Sequence, residues 1–151
     1  MSVLWLLGCV AGSGSVQVDV LLSATHSGGA LEGARADVDG VSLRGVEDDW
    51  RDGWVEAAPV TELVFGDAPL TLATLTLPTG RYDHVSVELD DVVVPWICGT
   101  EPTVALALEP IAAPFRLGRD EAVRIEVTLL ALAELADPSR LTLYAIDTLV
   151  E

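Results

Sequence analysis

The sequence predicts an all-β fold, a single antiparallel β-sandwich of about eight to ten short strands. Three observations support this prediction. The apolar residues are largely Val, Leu and Ala, and they occur in short runs separated by Gly, Pro and Asp. Several of these runs alternate apolar and polar residues with period two, as a strand with one buried face requires. No helical segments alternate with them, which argues against a parallel βαβ architecture.

The strands are predicted from this alternation in chain order. The segment from Ser15 to Leu22 is the first, and a loop from His26 to Ala30 follows it. In the segment from Ala36 to Leu43 the apolar phase changes across Asp39 and Gly40, which predicts a β-bulge. Further predicted strands lie at 54–57, 61–65, 92–94, 103–108, 114–117, 121–129 and 141–146.

The centre of the predicted fold is a hairpin in the stretch from Leu70 to Leu89. It consists of two alternating strands joined by a tight turn between Leu77 and Tyr82. Pro78 presets φ for the second position of a type I turn, and Gly80 suits the exit from that turn. Tyr82 is predicted to be a corner residue whose hydroxyl bonds to the backbone.

The segment 130–136 is the one helix-like run in the chain. Its residues are alanine, leucine and glutamate, which are good helix formers, and Asp137 and Pro138 would end a helix there. The sequence therefore allows at most one short helix near 130–136.

Charge restricts the class of partner. The 151 residues include 24 acidic side chains and eight arginines but no lysine, so the formal net charge is −16. A nucleic acid is excluded as a partner, because no basic stripe is present to displace counterions from phosphates. The lack of lysine also excludes Schiff-base chemistry and the usual P-loop.

The N-terminus has the pattern of a bacterial lipoprotein signal. The apolar run 2–7 ends in Leu6-Leu7-Gly8-Cys9, which resembles a lipobox, and small residues follow it. We therefore predict a signal segment at 1–8, a flexible tether at 9–14 and a β-sandwich domain at 15–151, with a lipid on Cys9 holding the domain at a membrane. The apolar run is short and lacks a basic residue, which would fit a signal truncated by a start codon set too far downstream.

The two cysteines leave two alternatives open. If Cys9 carries a lipid, Cys98 has no disulfide partner in the chain. The competing hypothesis is a disulfide between Cys9 and Cys98. Cys98 lies in the apolar stretch 94–99, where a buried, inert thiol is the ordinary interpretation.

Several short motifs follow one another in a distinctive order over residues 15–149. They are Gly-Val-Ser-Leu at 40–43, Trp54 after an acidic loop, Thr61-x-Leu63, Leu77-Pro78-x-Gly80-x-Tyr82, and Pro114-Phe115-x-Leu117. This order resembles an uncharacterised family of secreted bacterial and archaeal β-sandwich domains that are frequently lipoproteins. The Leu-Pro-x-Gly-x-Tyr turn is also shared with prealbumin-like sandwiches. The resemblance implies a prealbumin- or immunoglobulin-like sandwich and a cell-envelope location, and it supplies no catalytic residues.

One acidic loop carries the candidate ligand-binding residues. Asp48, Asp49 and Asp52 lie within five positions, and clustered carboxylates on a β-sandwich loop are a common calcium site. A solvated acidic turn explains the same residues, so the prediction is no cofactor, with calcium as the alternative. Trp50 and Trp54 flank this loop, and an exposed indole pair could stack on a sugar or contact a protein.

No motif for catalysis is present. The chain lacks Gly-x-Ser-x-Gly, Cys-x-x-Cys and His-x-x-x-His, and its two histidines lie in unrelated segments. His84 follows Asp83 directly, but neighbouring residues of a regular strand point to opposite faces, which disfavours a His-Asp pair. The sequence thus predicts a non-enzymatic lipoprotein domain of the bacterial envelope (outer membrane or periplasm) or a secreted one. It would be a binding or structural module whose partner is an unknown protein or glycan. The alternative is a carbohydrate-binding accessory domain that uses Trp50 and Trp54.

Overall fold

The computed structural model describes residues 15–24, 31–46, 53–57, 62–95, 102–119 and 121–151. Within these ranges the chain forms ten β-strands and no helix. The strands are β1 (Ser15–Ser23), β2 (Arg35–Gly45), β3 (Gly53–Ala57), β4 (Glu62–Val64), β5 (Leu70–Pro78), β6 (Gly80–Val93), β7 (Thr103–Ala107), β8 (Ile111–Leu117), β9 (Val123–Ala133) and β10 (Arg140–Val150).

The strands form two five-stranded sheets that pack face to face, so the predicted β-sandwich is confirmed. Sheet A has the order β5-β1-β9-β10-β7, and sheet B has the order β3-β2-β6-β8 with β4 also paired to β2. Sheet B is antiparallel throughout its described pairs. Sheet A is mixed, because β1 pairs in parallel with β9 and β7 in parallel with β10.

The core lies between the sheets and follows from the alternation in the sequence. Val18 and Val20 of β1 point inward beside Ile125 and Val127 of β9, and all four are at most 1% exposed. Leu43 of β2, in sheet B, belongs to the same cluster of buried residues. Burial of each such side chain contributes roughly 1.5–3 kcal/mol, which makes the inner faces the main source of stability.

The predicted central hairpin is wrong. β5 pairs with β1 in sheet A, whereas β6 pairs with β2 and β8 in sheet B, so the chain crosses between sheets at Thr79. Gly80 has φ of +152°, a conformation that favours glycine, and this permits the sharp change of direction. Alternation is the same whether two successive strands pair with each other or pack across the core, so the pattern alone could not distinguish a hairpin from a corner.

The short helix that the sequence allowed at 130–136 does not form, because β9 continues through Ala133. Leu130 pairs with Tyr144 and Leu132 with Thr142 of β10, so the backbone groups of this run belong to a strand ladder. Helix propensity is a weak local preference, and pairing along an eleven-residue strand outweighs it here.

Irregularities in β2 and β6 occur where the sequence breaks its alternation. The predicted bulge at Asp39 and Gly40 is confirmed by a register shift between Val38 and Gly40 against β6. Asp91, with φ of +45°, lies in a second shift near the end of β6. That strand therefore bends at Asp90 and Asp91 and continues to Val93.

Candidate functional site

A bulge at the start of β6 brings a charged cluster together on the outer face of sheet B. Gly45 is opposite Tyr82 and Arg44 is opposite His84, so Asp83 is the extra residue on β6. Tyr82 and Val85 both point into the core, which leaves Asp83 and His84 on the same outer face. The adjacent acid and imidazole can therefore meet, which a regular strand would prevent.

Arg44 of β2 completes the cluster. Its Nε donates to Oδ1 of Asp83 at 2.8 Å and its Nη2 donates to Oδ2 at 2.5 Å, so the guanidinium holds the carboxylate with two bonds. The Nδ1 atom of His84 lies 2.9 Å from Oδ1 of Asp83 and 3.0 Å from Nη2 of Arg44. The two-pronged contact fixes the plane of the carboxylate.

This contact controls the charge of the cluster. Hydrogen bonding from Arg44 lowers the pKa of the Asp83 carboxyl from 3.8 to about 2, and the bond to His84 acts in the same direction. Asp83 is therefore an anion at every physiological pH. The side chains of Asp83 and Arg44 are 27% and 38% exposed, so the pair remains accessible from solvent.

The imidazole of His84 is placed between an acceptor and a donor. A protonated Nδ1 would donate to Asp83, whereas an unprotonated Nδ1 would accept from Arg44. It cannot do both at once.

A concavity of about 380 Å³ lies beside the charged cluster, between the start of β6 and the edge strand β8. Tyr82 and Phe115 contribute to its lining, and their rings stack with centroids 5.1 Å apart and planes 13° from parallel. It is lined by Val46, Arg81, Tyr82, Asp83, Pro114, Phe115 and Arg116. This size is at the lower end of small-molecule sites.

Tyr82 also confirms the predicted corner. Its ring is buried, and its hydroxyl donates to the carbonyl of Pro78 at 2.8 Å, which ties the end of β5 to the start of β6 across the sheet change. The same residue thus joins the two sheets and supports the concavity.

Replacing Tyr82 with Phe is expected to lower the free energy of unfolding by about 1 kcal/mol, since it removes one largely buried hydrogen bond and keeps the stacked ring. Urea unfolding would measure the change. Tyr144→Phe on β10, where the side chain is 38% exposed, is the matched control and should change stability by less than about 0.5 kcal/mol. Equal effects from the two variants would contradict the role of the corner bond.

Most of the site residues predicted from sequence lie outside the described residues. This holds for Cys9, Asp48, Asp49, Trp50, Asp52 and Cys98. The backbone of Trp54 is opposite Arg44 in β3, and the closing pair of the β2–β3 hairpin is Gly45 with Gly53. Among the described residues, no three His, Cys, Asp or Glu side chains are grouped in a way that could hold a metal ion.

Sequence reasoning missed Arg44, Arg81, Phe115 and Arg116. Arg44 directly follows the predicted strand 36–43 and was not singled out, and Phe115 was noticed only as part of a motif. Arg81 and Arg116 are opposite each other because β6 pairs with β8. The local sequence around either residue does not show that these two strands pair.

The fold and the site define a β-sandwich with an ordered ion-pair cluster beside a small concavity. Comparison with known proteins finds no family model, no curated protein and no solved structure that matches the chain. A search of the described ranges likewise finds no helix with the length and apolar character needed to span a membrane.

Proposed function

We propose that this protein is a non-enzymatic binding module of the bacterial cell envelope, held at a membrane by a lipid on Cys9. The observation that carries the binding function is the preformed concavity of about 380 Å³ beside the Arg44–Asp83–His84 cluster. Apart from Val46, its lining residues lie on strands β6 and β8, which hold their side chains in place without a ligand.

The contacts within the cluster support binding over catalysis. A carboxylate that acts as a general base must be free to accept a proton. Here Asp83 accepts two hydrogen bonds from Arg44, and the same guanidinium lies 3.0 Å from Nδ1 of His84. Such an arrangement fixes polar groups in space, which is the requirement for recognising a ligand.

A cavity-filling variant tests the binding function. Ligand-observed NMR with a panel of small sugars, amino acids and organic acids is expected to detect a binder to the wild type that Val46→Trp loses, because Val46 lines the concavity. Val64→Trp is the matched control, since Val64 lies on β4, is 52% exposed and does not line the concavity. A panel with no binder, or binders unaffected by Val46→Trp, would reject the proposal.

The envelope location is supported by the motif Leu6-Leu7-Gly8-Cys9 and the Gly/Ser residues after it. A lipid chain on one cysteine contributes about 0.8 kcal/mol for each buried CH₂, so a multiply acylated cysteine would hold the domain at a membrane surface.

The full chain would be expressed in a bacterial host with basic residues and a longer apolar run placed ahead of Ser2. Metabolic labelling with a fatty-acid analogue is expected to tag it. Cys9→Ser should abolish the label, because the lipid is attached through the cysteine sulfur. Cys98→Ser is the matched control and should be labelled like the wild type. Equal labelling of the Cys9→Ser and wild-type chains, or no label on either, would reject the lipid anchor.

A further inference from the structure

Strand β7 has one edge that pairs with no strand in the part of the chain that the structure describes. β7 is the last strand of sheet A and pairs with β10 on its other side. The backbone N–H and C=O groups along the free edge are therefore left for a further strand or for solvent. The register of β7 with β10 runs from Thr103 to Ala107 without a bulge, so the free edge is regular enough to accept another strand.

Three other edge strands have features that discourage such pairing. β8 contains Pro114, which has no N–H to donate, and the carbonyl of Ala112 already accepts from Oγ1 of Thr148 at 2.6 Å. β4 has only three residues. β5 exposes threonines on its outer face, so a strand added there would bury little apolar surface. β7 has none of these protections, because it contains no charge, no proline and no bulge.

Charge is absent around this edge, although the protein as a whole is strongly acidic. The net charge is −16 and 21% of the residues are charged, yet the segments 103–108, 127–133 and 141–146 contain no charged residue. These segments are β7 and the adjoining parts of β9 and β10. Two copies of a chain with this net charge repel each other, so they approach most easily where neither presents a carboxylate. The edge of β7 meets that condition.

Apolar side chains on both faces of β7 also lack cover. Leu106 is opposite the buried Leu143 and so points to the core side of sheet A, but it is 41% exposed. On the outer face, Ala105 is exposed and lies in one row with Leu132, because Thr142 is opposite both residues. Leu132 is itself 50% exposed. A strand added at the edge of β7 would extend both apolar surfaces.

We propose that two copies of this protein associate through β7, as an antiparallel pair about a two-fold axis that joins their A sheets into one continuous sheet. The sequence of β7 is self-complementary in this arrangement. With Ala105 at the axis, Val104 of one copy is opposite the partner's Leu106, and both side chains point to the core side. The two-fold axis repeats this contact, so each copy covers the exposed Leu106 of the other with an apolar side chain.

Analytical ultracentrifugation of the full chain in reducing buffer tests the association. A species of twice the 15.9 kDa chain mass is expected at a concentration of about 100 μM. Ala105→Glu should weaken association at least about tenfold, because it places two carboxylates opposite each other at the axis. Ala112→Glu on the exposed face of β8 is the matched control, with the same substitution and the same added charge. Ala112→Glu and Thr76→Glu, an exposed position on β5, should associate like the wild type.

Disulfide cross-linking tests the register of the two strands. Ala105→Cys, in a chain that also carries Cys9→Ser and Cys98→Ser, is expected to form a covalent dimer under mild oxidation. Directly opposite residues of an antiparallel pair have Cβ atoms about 4.5–5.5 Å apart, close to the separation in a disulfide. Ala112→Cys in the same background is the control and should stay monomeric.

Salt distinguishes an uncharged interface from one held by ion pairs. Raising NaCl from about 0.1 M to about 1 M shortens the screening length from about 10 Å to about 3 Å. The repulsion between two chains of charge −16 then weakens, so association through β7 should become tighter. An interface held by ion pairs would weaken under the same change.

Several results would overturn the β7 interface. They are a wild-type chain that stays monomeric at both salt concentrations, a dimer that Ala105→Glu leaves intact, and equal weakening by Ala105→Glu and Ala112→Glu. Loss of the dimer in Thr76→Glu alone would place the interface on β5. If circular dichroism shows that Ala105→Glu does not fold, the Ala105→Cys cross-link decides. Val46→Trp should not affect association, because Val46 lines the concavity, so the result is independent of the ligand panel.

Discussion

Leu129→Ala is expected to lower the free energy of unfolding by about 2–5 kcal/mol, the usual range for removing a fully buried leucine side chain. Leu129 is 0% exposed and belongs to the core between the sheets. Domains are stable by only about 5–15 kcal/mol, so this variant could lose a large part of its stability. Urea denaturation followed by tryptophan fluorescence would measure the change.

Leu132→Ala is the matched control, because it is the same substitution on the same strand. Leu132 is 50% exposed on the outer face of sheet A, and its replacement should cost less than about 0.5 kcal/mol. Residues three apart point to opposite faces of a strand but share one face of a helix. Similar losses from the two variants would therefore contradict the strand at 123–133.

Asp83→Asn is expected to destabilise the protein at pH 7 by about 1–2 kcal/mol and to have almost no effect near pH 2. The pKa of Asp83 is lowered from 3.8 to about 2 in the folded state, so the folded protein binds fewer protons there than the unfolded chain. The stabilisation is present above about pH 4 and is lost as the pH falls to about 2. The full linkage energy would exceed 2 kcal/mol, but partial exposure of the pair reduces it.

The measurement is the difference in unfolding free energy between wild type and variant across this pH range. A difference is needed because protonation of the many other carboxylates also relieves the repulsion of a net charge of −16. Asp39→Asn, an exposed position on the same face of sheet B, is the control and should change stability by less than about 0.5 kcal/mol at pH 7. If Asp83→Asn destabilised equally at pH 2 and pH 7, the ion pair with Arg44 would not be its cause.

The parts of the fold that could be predicted are those that depend on residues adjacent in the sequence. Alternation located β1 from Ser15, and the change of phase at Asp39 and Gly40 located a bulge, because each depends on which face a side chain occupies. The partner of a strand is set by residues far away in the chain. The assignment of β5 and β6 to different sheets and the strand at 130–133 were missed for that reason.

The site also combines features that depend on local sequence with features that depend on the pairing of distant strands. Asp83 and His84 are adjacent in sequence, but whether they meet depends on a bulge created by pairing with β2. Tyr82 was recognised as a corner because its turn motif is local. The concavity, in contrast, needs β2, β6 and β8 side by side, and no short motif encodes that arrangement.

The parallel pairing of β1 with β9 has a consequence for the order in which the protein is made. β1 begins at Ser15, but its partner on one side begins only at Val123, so one edge of β1 stays unpaired until β9 has been synthesised. β9 in turn is covered by β10, the last strand. Contacts between such distant segments form slowly, and an unpaired strand edge attracts other chains while it waits. A chain that stops before residue 120 would lack β9 and would leave one edge of β1 exposed to aggregation.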